Sequence, residues 1–313
     1  MNRLAGVWMD DYTYGAPIGR PIISSALEAP DVIPYAPDYQ FQRRVRVLVT
    51  GISGFIGSTL EPALAERGHE VRGVTRQTVS LKDAFAGCDA VVHLANLAHA
   101  PANRSLLWRV NVEGTRRAAE LASAAGVRRF VYLSSIKASA PDDDYARAKL
   151  AAEQAVAGVA ARSGLQAVIL RPPLVYGPRV KANFLALMRA IDRGWPLPFA
   201  RIENRRSLLY VGNLCDAIAR CLEAEAPDGR TFCVADGAPL STPQLCHAIG
   251  NALGRPARLF PFPVPLLELI PALKKLTRSL EADDAAIRRE LDWRAPYSFE
   301  QGLLATADWY RSR

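Results

Sequence analysis

Apolar and polar residues follow two alternating patterns from residue 45 onward. Short runs rich in Val, Leu and Ile are apolar along their whole length, which is typical of strands buried on both faces. Longer alanine-rich segments with apolar residues at helical spacing, such as 111–126 and 145–164, separate several of these runs. The runs predicted as strands are residues 45–50, 71–75, 90–95, 129–134 and 166–171. This alternation predicts an α/β fold with a parallel sheet covered by helices on both faces.

The same patterns divide the chain into three parts. Residues 1–44 are rich in proline and tyrosine without a sustained period, which predicts an irregular N-terminal extension. Residues 45–175 carry the strand–helix alternation and predict the sheet domain. Residues 176–313 are richer in proline and less regular. We expect them to form mainly a substrate-binding region over the carboxyl edge of the sheet, with some segments returning to the sheet.

Composition narrows the classes of protein. The net charge of +8 comes from 39 basic and 31 acidic residues, and an excess of this size suits an anionic ligand. No zinc-finger spacing or strongly basic tract supports nucleic-acid binding. The five cysteines and four histidines show no metal-ligand spacing, so we expect no metal site. The odd set of cysteines favours reduced thiols and a cytoplasmic location.

Membrane insertion has little support in the sequence. No apolar run is long enough to span a bilayer, and the N-terminus lacks the apolar stretch of a secretory signal. Residues 259–273 are strongly apolar, but four prolines interrupt them. We therefore expect this segment to pack over the core.

A glycine-rich turn follows the first predicted strand. Gly51, Gly54 and Gly57 lie between that strand and a predicted helix, in "TGISGFIG". A tight turn that brings the backbone close to a pyrophosphate needs glycine, and the helix N-terminus supplies free N–H groups. The pattern predicts a Rossmann-type doubly wound parallel sheet that binds a dinucleotide. Pro62, inside the same helix, predicts a kink.

The end of the second strand bears on the choice of cofactor. Dinucleotide sites usually have an acidic residue there for the ribose hydroxyls, whereas this strand ends in Thr75-Arg76. A guanidinium without the acid favours a 2′-phosphate, so we expect NADP rather than NAD. Arg76 as an ordinary surface residue is the alternative.

A serine, a tyrosine and a lysine form the candidate catalytic set. Tyr145 and Lys149 are four residues apart and share one face of a predicted helix, with Ser135 ten residues before the tyrosine. A Tyr-x-x-x-Lys pair is more often exposed surface, but the glycine turn upstream favours a proton-transfer site. The acidic residues at 142–144 suit a helix N-terminus and are interpreted as capping rather than catalytic.

Several motifs in register resemble one family of enzymes. Besides the glycine turn they are "VVHLAN", "NVEGT", "YLSSIKA", "YARAK", "LRPPLVYGP", "NRRSLLYVGNL" and "IRRELDWRAPYSFEQGL". From residue 45 to the C-terminus the chain resembles the extended short-chain dehydrogenase/reductases, and more narrowly the NAD-dependent epimerase/dehydratase family acting on nucleotide sugars. It looks most similar to the branch that reduces 4-keto-6-deoxy UDP-sugars, with UDP-glucose 4-epimerases as close relatives.

The resemblance implies roles for residues at matching positions. Tyr145 would be the acid/base, Lys149 its electrostatic partner, and Ser135 the hydrogen-bond donor to the sugar C4 oxygen, with Ser134 as the less favoured choice. Cofactor contacts would come from Gly51, Gly54, Phe55, Ile56, Gly57, Arg76, Leu94, Ala95, Asn111, Lys149 and Pro172. The nucleotide diphosphate of the substrate would contact Asn183, Arg206 and Arg278. A homodimer formed through two helices per subunit is implied as well.

The chain departs from the family pattern in two places. Only 13 residues separate Arg76 from Ala90, too few for the family's third strand and its helix. The loop between Ser135 and Tyr145 is also short. These departures affect adenine recognition and one wall of the sugar pocket.

Three functions remain open at the level of sequence. The first is an NAD(P)-dependent oxidoreductase at C4 of a UDP-hexose, as a 4-keto-sugar reductase or as a 4-epimerase. The second is an enzyme of the same superfamily acting on another substrate, such as a steroid or an aldehyde. The third is a non-catalytic dinucleotide-binding scaffold or sensor.

Overall fold

A computed structural model gives the fold, and the structure describes residues 44–75, 80–97, 103–224 and 228–313. The predicted extension therefore lies outside the described residues, apart from residue 44. The strands are β1 (Arg46–Thr50), β2 (Glu70–Val74), β3 (Ala90–His93), β4 (Arg129–Leu133), β5 (Gln166–Arg171), β6 (Leu174–Tyr176), β7 (Leu208–Tyr210) and β8 (Arg230–Cys233).

Helices follow most of the strands. They are α1 (Gly57–Glu66), α2 (Leu81–Phe85), α3 (Arg104–Trp108), α4 (Gly114–Ala124), α5 (Asp144–Ala160), α6 (Ala182–Asp192), α7 (Val211–Glu223), α8 (Thr242–Leu253), α9 (Val264–Leu267), α10 (Pro271–Thr277), α11 (Ala285–Leu291) and α12 (Phe299–Arg311). A π-helical turn, Arg109–Glu113, joins α3 to α4, and a 3₁₀ turn, Ile136–Ser139, precedes α5.

Six strands form one parallel sheet in the order β2-β1-β3-β4-β5-β8. The five strands predicted from the sequence are all present, and the predicted Rossmann-type parallel sheet is confirmed. The sixth strand, β8, comes from the C-terminal part of the chain and pairs with β5. The predicted domain boundary near residue 175 stays a prediction.

Helices cover both faces of the sheet because successive strand residues point to opposite sides. In β1, Val47 and Val49 are buried against α1 and α7, whereas Leu48 is buried in the layer that contains α4 and α5. Alanines such as Ala118 and Ala152 let these two helices pack closely on the sheet. The continuous apolar runs in the sequence reflect this two-sided burial.

The sheet ends at β2 in the described part of the chain. Between β2 and β3 the described residues form only α2, a helix of five residues whose N-cap is Ser80. This agrees with the expectation that the stretch is too short for a further strand and its helix. Among the described residues, no helix is long and apolar enough to cross a membrane.

The C-terminal part has a core of its own. The strand pair β6–β7 packs with α6, α8 and α12, and Leu267 of α9 is buried in the same core. The expectation that residues 259–273 cover the core is correct for Leu267 and in part for Phe262. It is wrong for Leu269 and Ile270, which are 76% and 50% exposed.

Candidate active site

The glycine turn after β1 is compact enough to exclude side chains. Gly51 has a φ of 77°, and a Cβ there would lie 2.9 Å from the backbone nitrogen of Ala95. A Cβ at Gly57 would lie 2.5 Å from the carbonyl oxygen of Gly51 and from the backbone of Ile52. The Gly54 amide donates to the Gly51 carbonyl at 3.0 Å, which closes the turn. The sequence therefore has glycine where the backbone needs it.

This turn presents the start of α1, at the carboxyl end of β1. The helix begins at Gly57, and no side chain caps its first turn. Phe55 and Ile56 are partly buried and pack against the core beneath the turn. An uncapped helix N-terminus behind a close backbone turn fits a pyrophosphate, because its amides and its dipole favour a negative charge. The predicted cofactor-binding residues of this turn thus form a cradle suited to a dinucleotide.

Asn111 fixes the chain segment that faces this turn. Its buried side chain accepts a hydrogen bond from the Leu97 amide at 2.7 Å and donates to the Leu97 carbonyl at 3.1 Å. The segment held in this way carries Leu94 and Ala95, two of the predicted cofactor contacts. Asn111 lies in the π-helical turn between α3 and α4, a type of turn that is frequent at functional sites.

His93 connects the ends of β1 and β3 beneath the site. Its Nδ1 lies 2.8 Å from the Thr50 hydroxyl, and its Nε2 lies 3.1 Å from the Thr115 hydroxyl. Thr115 donates its own proton to the Asn111 carbonyl, so the Thr115 oxygen accepts from Nε2, which carries the proton. Burial, with a contribution from Lys149, lowers the pKa of His93 to about 3, and the ring is neutral. The sequence around His93 carries no pattern that predicts this role.

Ser135, Tyr145 and Lys149 lie around the carboxyl end of β4. Ser135 follows β4 by two residues and caps the 3₁₀ turn, where its hydroxyl accepts from the Lys137 amide. Tyr145 is the second residue of α5, and Lys149 follows one turn later on the same face. The Lys149 ammonium donates to the Leu133 carbonyl at 2.8 Å, which ties the helix to the strand end.

Burial controls the protonation of this set. It raises the pKa of Tyr145 to about 12, and the Asp143 carboxylate adds to the shift. It lowers the pKa of Lys149 to about 7, opposed by the Glu153 carboxylate. The phenol of Tyr145 is therefore protonated at neutral pH, and Lys149 titrates near neutrality.

A buried carboxylate behind the lysine organises the neighbouring side chains. Glu153 follows Lys149 by one helical turn and is 5% exposed. It accepts hydrogen bonds from the Ser134 hydroxyl and from two nitrogens of Arg171, at 2.9 and 2.5 Å for the latter. The Ser134 hydroxyl thus faces Glu153, which leaves Ser135 as the better candidate for the substrate. The i,i+4 spacing after Lys149 is the sequence signal that would have identified Glu153.

The interpretation of the acidic run as capping is confirmed for Asp143. Its carboxylate accepts from the Ala146 amide at 2.7 Å at the start of α5, and from Lys137 at 2.5 Å. Asp144 pairs with Arg147 on the helix surface at 2.8 Å. The start of the tyrosine helix is therefore held by several polar contacts.

Of the three residues predicted to contact the substrate diphosphate, the structure brings two together. The Arg206 guanidinium donates to the carbonyls of Lys275 and Arg278, at 2.6 and 2.9 Å, at the end of α10. The structure thus brings Arg206 and Arg278 together. Asn183 is exposed on the first turn of α6, and no described hydrogen bond joins it to these two residues.

Pro172 and Arg76 are the two remaining predicted cofactor contacts. Pro172 is buried after β5, and its carbonyl accepts from the Ile136 amide at 3.0 Å, beside Ser135. Arg76 lies outside the described residues. The predicted 2′-phosphate contact therefore stays a prediction.

The parallel sheet, the glycine cradle and the helix that follows it are the features of Rossmann-type dinucleotide-binding proteins. Residues 47–235, more than half of the chain, match the NAD dependent epimerase/dehydratase family. The chain belongs to this family of NAD-dependent enzymes, which confirms the family resemblance of the sequence.

Individual relatives align over most of their length. UDP-glucose 4-epimerase from Vibrio cholerae is 32% identical over 308 residues, which covers 83% of this chain and 94% of the relative. A 4-hydroxy-2-methyl-3-oxo-4-farnesyl-3,4-dihydroquinoline-1-oxide ketoreductase from Stigmatella aurantiaca is 28% identical, covering 83% of this chain and 95% of the relative. The solved structure of MoeE5 with UDP-glucuronic acid and NAD is similar with a TM-score of 0.72 and 25% identity, covering 85% of this chain and 99% of MoeE5.

Proposed function

We propose that this protein is an NAD(P)-dependent oxidoreductase that acts at C4 of a UDP-sugar and reduces a 4-keto-sugar. The observation that carries the proposal is the set of Ser135, Tyr145 and Lys149 around the end of β4, on the same edge of the sheet as the glycine cradle. The names of the Vibrio cholerae epimerase and of the MoeE5 complex support a UDP-sugar substrate.

Each residue of the set has a distinct part in the reaction. The bound nicotinamide supplies the hydride. Tyr145 donates its phenolic proton to the ketone oxygen as that oxygen gains negative charge. Ser135 donates a hydrogen bond to the same oxygen and orients it. Lys149, buried on α5 one turn after Tyr145, stabilises the phenolate that remains when its own amine is protonated.

Two features are compatible with a net reduction. Burial raises the pKa of Tyr145 to about 12, so the phenol is protonated, which is the state that a ketone reduction uses. In the described residues β2 is the outermost strand on its side of the sheet. A reductase must exchange its cofactor in every turnover, and a sheet without a further strand at this edge is compatible with such exchange.

A UDP-hexose 4-epimerase is the second candidate, because the Vibrio cholerae relative carries that name. An epimerase keeps its cofactor bound through both half-reactions. The absorbance and fluorescence of the purified protein distinguish the two candidates. Tightly bound NAD, together with interconversion of UDP-glucose and UDP-galactose, supports the epimerase. Exchangeable NADPH that is oxidised by a UDP-4-keto-6-deoxy-sugar supports the reductase.

The same assays distinguish other substrate classes and test the choice of cofactor. The name of the Stigmatella aurantiaca ketoreductase supports a ketone other than a sugar as an alternative substrate. Inactivity toward every UDP-sugar would favour such a ketone. We propose NADP rather than NAD on the basis of Arg76. Equal affinities for NADPH and NADH would contradict this preference. The homodimer and the cytoplasmic location stay predictions.

Replacement of the tyrosine tests the catalytic assignment. Tyr145→Phe removes the proton donor but keeps the ring, so turnover should fall about 10²–10⁴-fold while NADPH affinity changes little. Tyr310→Phe is the matched control, because Tyr310 lies on the C-terminal helix α12 and, in the described hydrogen bonds, its hydroxyl contacts only Asp192 of α6, at 3.1 Å. Unchanged turnover in Tyr145→Phe would show that the assignment is wrong.

A further inference from the structure

An exposed apolar patch lies on the segment that contains α9 and α10. Its members are Leu266, Leu269 and Ile270, which are 49%, 76% and 50% exposed. Leu267 between them is buried in the C-terminal core. The segment is therefore anchored on the core by Leu267, with Val264, Leu273 and Leu276 packed against the same core, while it presents three large apolar side chains to solvent. Such a concentration of exposed apolar side chains is typical of an interaction surface.

Backbone hydrogen bonds hold the patch in place. The amide of Leu266 donates to the Pro263 carbonyl, and the amide of Ile270 donates to the Leu267 carbonyl, both at 3.1 Å. The amide of Lys274 donates to the Ile270 carbonyl at 3.1 Å. These hydrogen bonds fix the backbone that carries the exposed side chains.

The residues around the patch are basic. Residues 255–278 contain five basic residues and one acidic residue, Glu268. Lys274, Lys275 and Arg278 are exposed and directly follow the patch. Glu268 accepts a hydrogen bond from the Thr277 hydroxyl at 2.8 Å, on the same segment.

This combination indicates what binds to the patch. Apolar side chains next to clustered cations match an anionic bilayer surface, because the former enter the headgroup region and the latter bind lipid phosphates. A second copy of the chain fits poorly. A two-fold contact through the same patch would bring two sets of these lysines into one interface, without an acidic cluster on the segment to pair with them.

The patch is next to the candidate active site. The carbonyls of Lys275 and Arg278 accept hydrogen bonds from Arg206, a candidate contact to the substrate diphosphate. The charge of Lys275 also acts on Asp143, the N-cap of the tyrosine helix. Docking through the patch would therefore bring the side of the candidate site that holds Arg206 and Asp143 towards the bilayer surface.

We propose that residues 263–278 dock this protein peripherally on an anionic bilayer, with Leu266, Leu269 and Ile270 in the headgroup region and the adjacent basic residues on lipid phosphates. The first test is flotation of the full chain with vesicles of phosphatidylcholine alone, or mixed with phosphatidylglycerol in a roughly two-to-one ratio. The protein should float with the mixed vesicles at low salt, and binding should weaken about tenfold or more with phosphatidylcholine alone or at high salt.

Removal of the apolar side chains separates insertion from simple charge attraction. Leu269→Ser combined with Ile270→Ser should lower the vesicle partition coefficient at least tenfold. Serine is compatible with the N-cap position that Ile270 occupies at α10, so the helix should persist. The matched control is Trp195→Ser combined with Leu304→Ser, which removes side chains 54% and 52% exposed elsewhere and should leave partitioning unchanged.

Removal of the charges provides a second, independent test. Lys274→Gln combined with Lys275→Gln should weaken binding to the mixed vesicles about tenfold or more, since each basic residue contributes about fivefold. Arg128→Gln combined with Arg162→Gln removes two exposed charges near the opposite, amino-terminal edge of the sheet and should have little effect. Thermal unfolding of every variant verifies its fold. Because the apolar and charge variants are independent, one of them still tests the proposal if the other is unstable.

Three outcomes would overturn the proposal. The first is wild-type protein that does not float with the mixed vesicles. The second is flotation that neither the apolar nor the charge variant reduces relative to its control. The third is a wild-type dimer that the Leu269→Ser and Ile270→Ser changes convert to a monomer without any lipid binding, which would assign the patch to contact between copies.

Discussion

Gly57 is the tightest position of the glycine turn after β1. A Cβ there would lie 2.5 Å from backbone atoms of Gly51 and Ile52, which cannot move without opening the turn. Gly57→Ala should therefore lower the free energy of unfolding by about 1–3 kcal/mol and weaken NADPH binding more than tenfold. Urea unfolding and a fluorescence titration measure the two effects.

The matched control is Gly158→Ala, in the last turn of α5. A Cβ at Gly158 meets only a flexible Arg162 nitrogen at 3.7 Å, and alanine is the better helix former. This variant should gain about 0.5–1 kcal/mol in the free energy of unfolding and bind NADPH normally. If both alanine variants behaved alike, the close approach of the turn would not explain the glycine at 57.

Glu153 should be the most sensitive polar residue behind the catalytic set. In Glu153→Gln the amide nitrogen would replace an oxygen that accepts from Arg171, and the guanidinium would lose its counter-charge. We expect a loss of about 2–3 kcal/mol in the free energy of unfolding, because Arg171 is only partly buried. The pKa of Lys149 should also fall further below its usual value, because Glu153 opposes the downward shift.

Two measurements test the Glu153 prediction. Urea unfolding gives the stability, and the pH profile of NADPH affinity reports the titration of Lys149. Glu120→Gln is the control, since its pair with Arg116 is an exposed i,i+4 contact and should contribute less than about 0.5 kcal/mol. An effect of Glu153→Gln no larger than that of the control would contradict the assigned role.

At the scale of the element, Pro62 conflicts with the helix that contains it. It is the sixth residue of α1, and its ring removes the amide that would donate to the Ser58 carbonyl. The helix nevertheless continues to Glu66. Pro62→Ala should raise the free energy of unfolding by about 1 kcal/mol, because the restored hydrogen bond exceeds the entropy gained by the unfolded chain.

Thermal unfolding measures the effect of Pro62→Ala, with Pro243→Ala as the control. Pro243 occupies the first turn of α8, where proline fits the helix and no hydrogen bond is lost. Its replacement should be neutral or slightly destabilising. A decrease in stability in Pro62→Ala would mean that the proline fits α1 as well as it fits α8.

The helices and strands were predictable from the sequence wherever the pattern that specifies them lies within the element itself. The apolar run at 129–134 and the alanine-rich segment at 145–164 correspond to β4 and α5 because burial on both faces and helical spacing leave a direct signature. The position of Tyr145 and Lys149 on one helix face followed from the same periodicity.

Contacts between distant segments were not predictable in this way. The pairing of β8 with β5 joins residues about sixty positions apart, and the sequence of β8 carries no signal for its partner. Arg206 bonds to carbonyls of α10, a choice that depends on tertiary packing rather than on the arginine itself. The same holds for the pair of Glu153 with Arg171. The exposure of Leu269, just after α9, likewise depends on how α9 packs against the core.

At the scale of the whole molecule, His93 should make stability depend on pH. The neutral ring is buried between Thr50 and Thr115, with a pKa of about 3, whereas the unfolded chain protonates near 6.5. Between these values the unfolded chain binds more protons than the folded chain. The contribution of His93 to the free energy of unfolding is therefore complete above about pH 6.5. As the pH falls below this value, the contribution decreases by about 1.4 kcal/mol per pH unit.

Urea unfolding of His93→Gln and wild-type protein between about pH 7 and about pH 5 tests this dependence. At neutral pH the variant should be less stable, because glutamine cannot reproduce both hydrogen bonds of the ring. The difference between the two proteins should then narrow by about 1.4 kcal/mol per pH unit, since only the wild type carries the titrating imidazole. His247→Gln, which removes an exposed imidazole, should follow the wild type throughout. A constant difference between His93→Gln and wild type would mean that the fold does not shift the pKa of the ring. A difference that widens as the pH falls would mean that the ring is protonated in the fold, and that a charged histidine connects β1 and β3 beneath the glycine cradle.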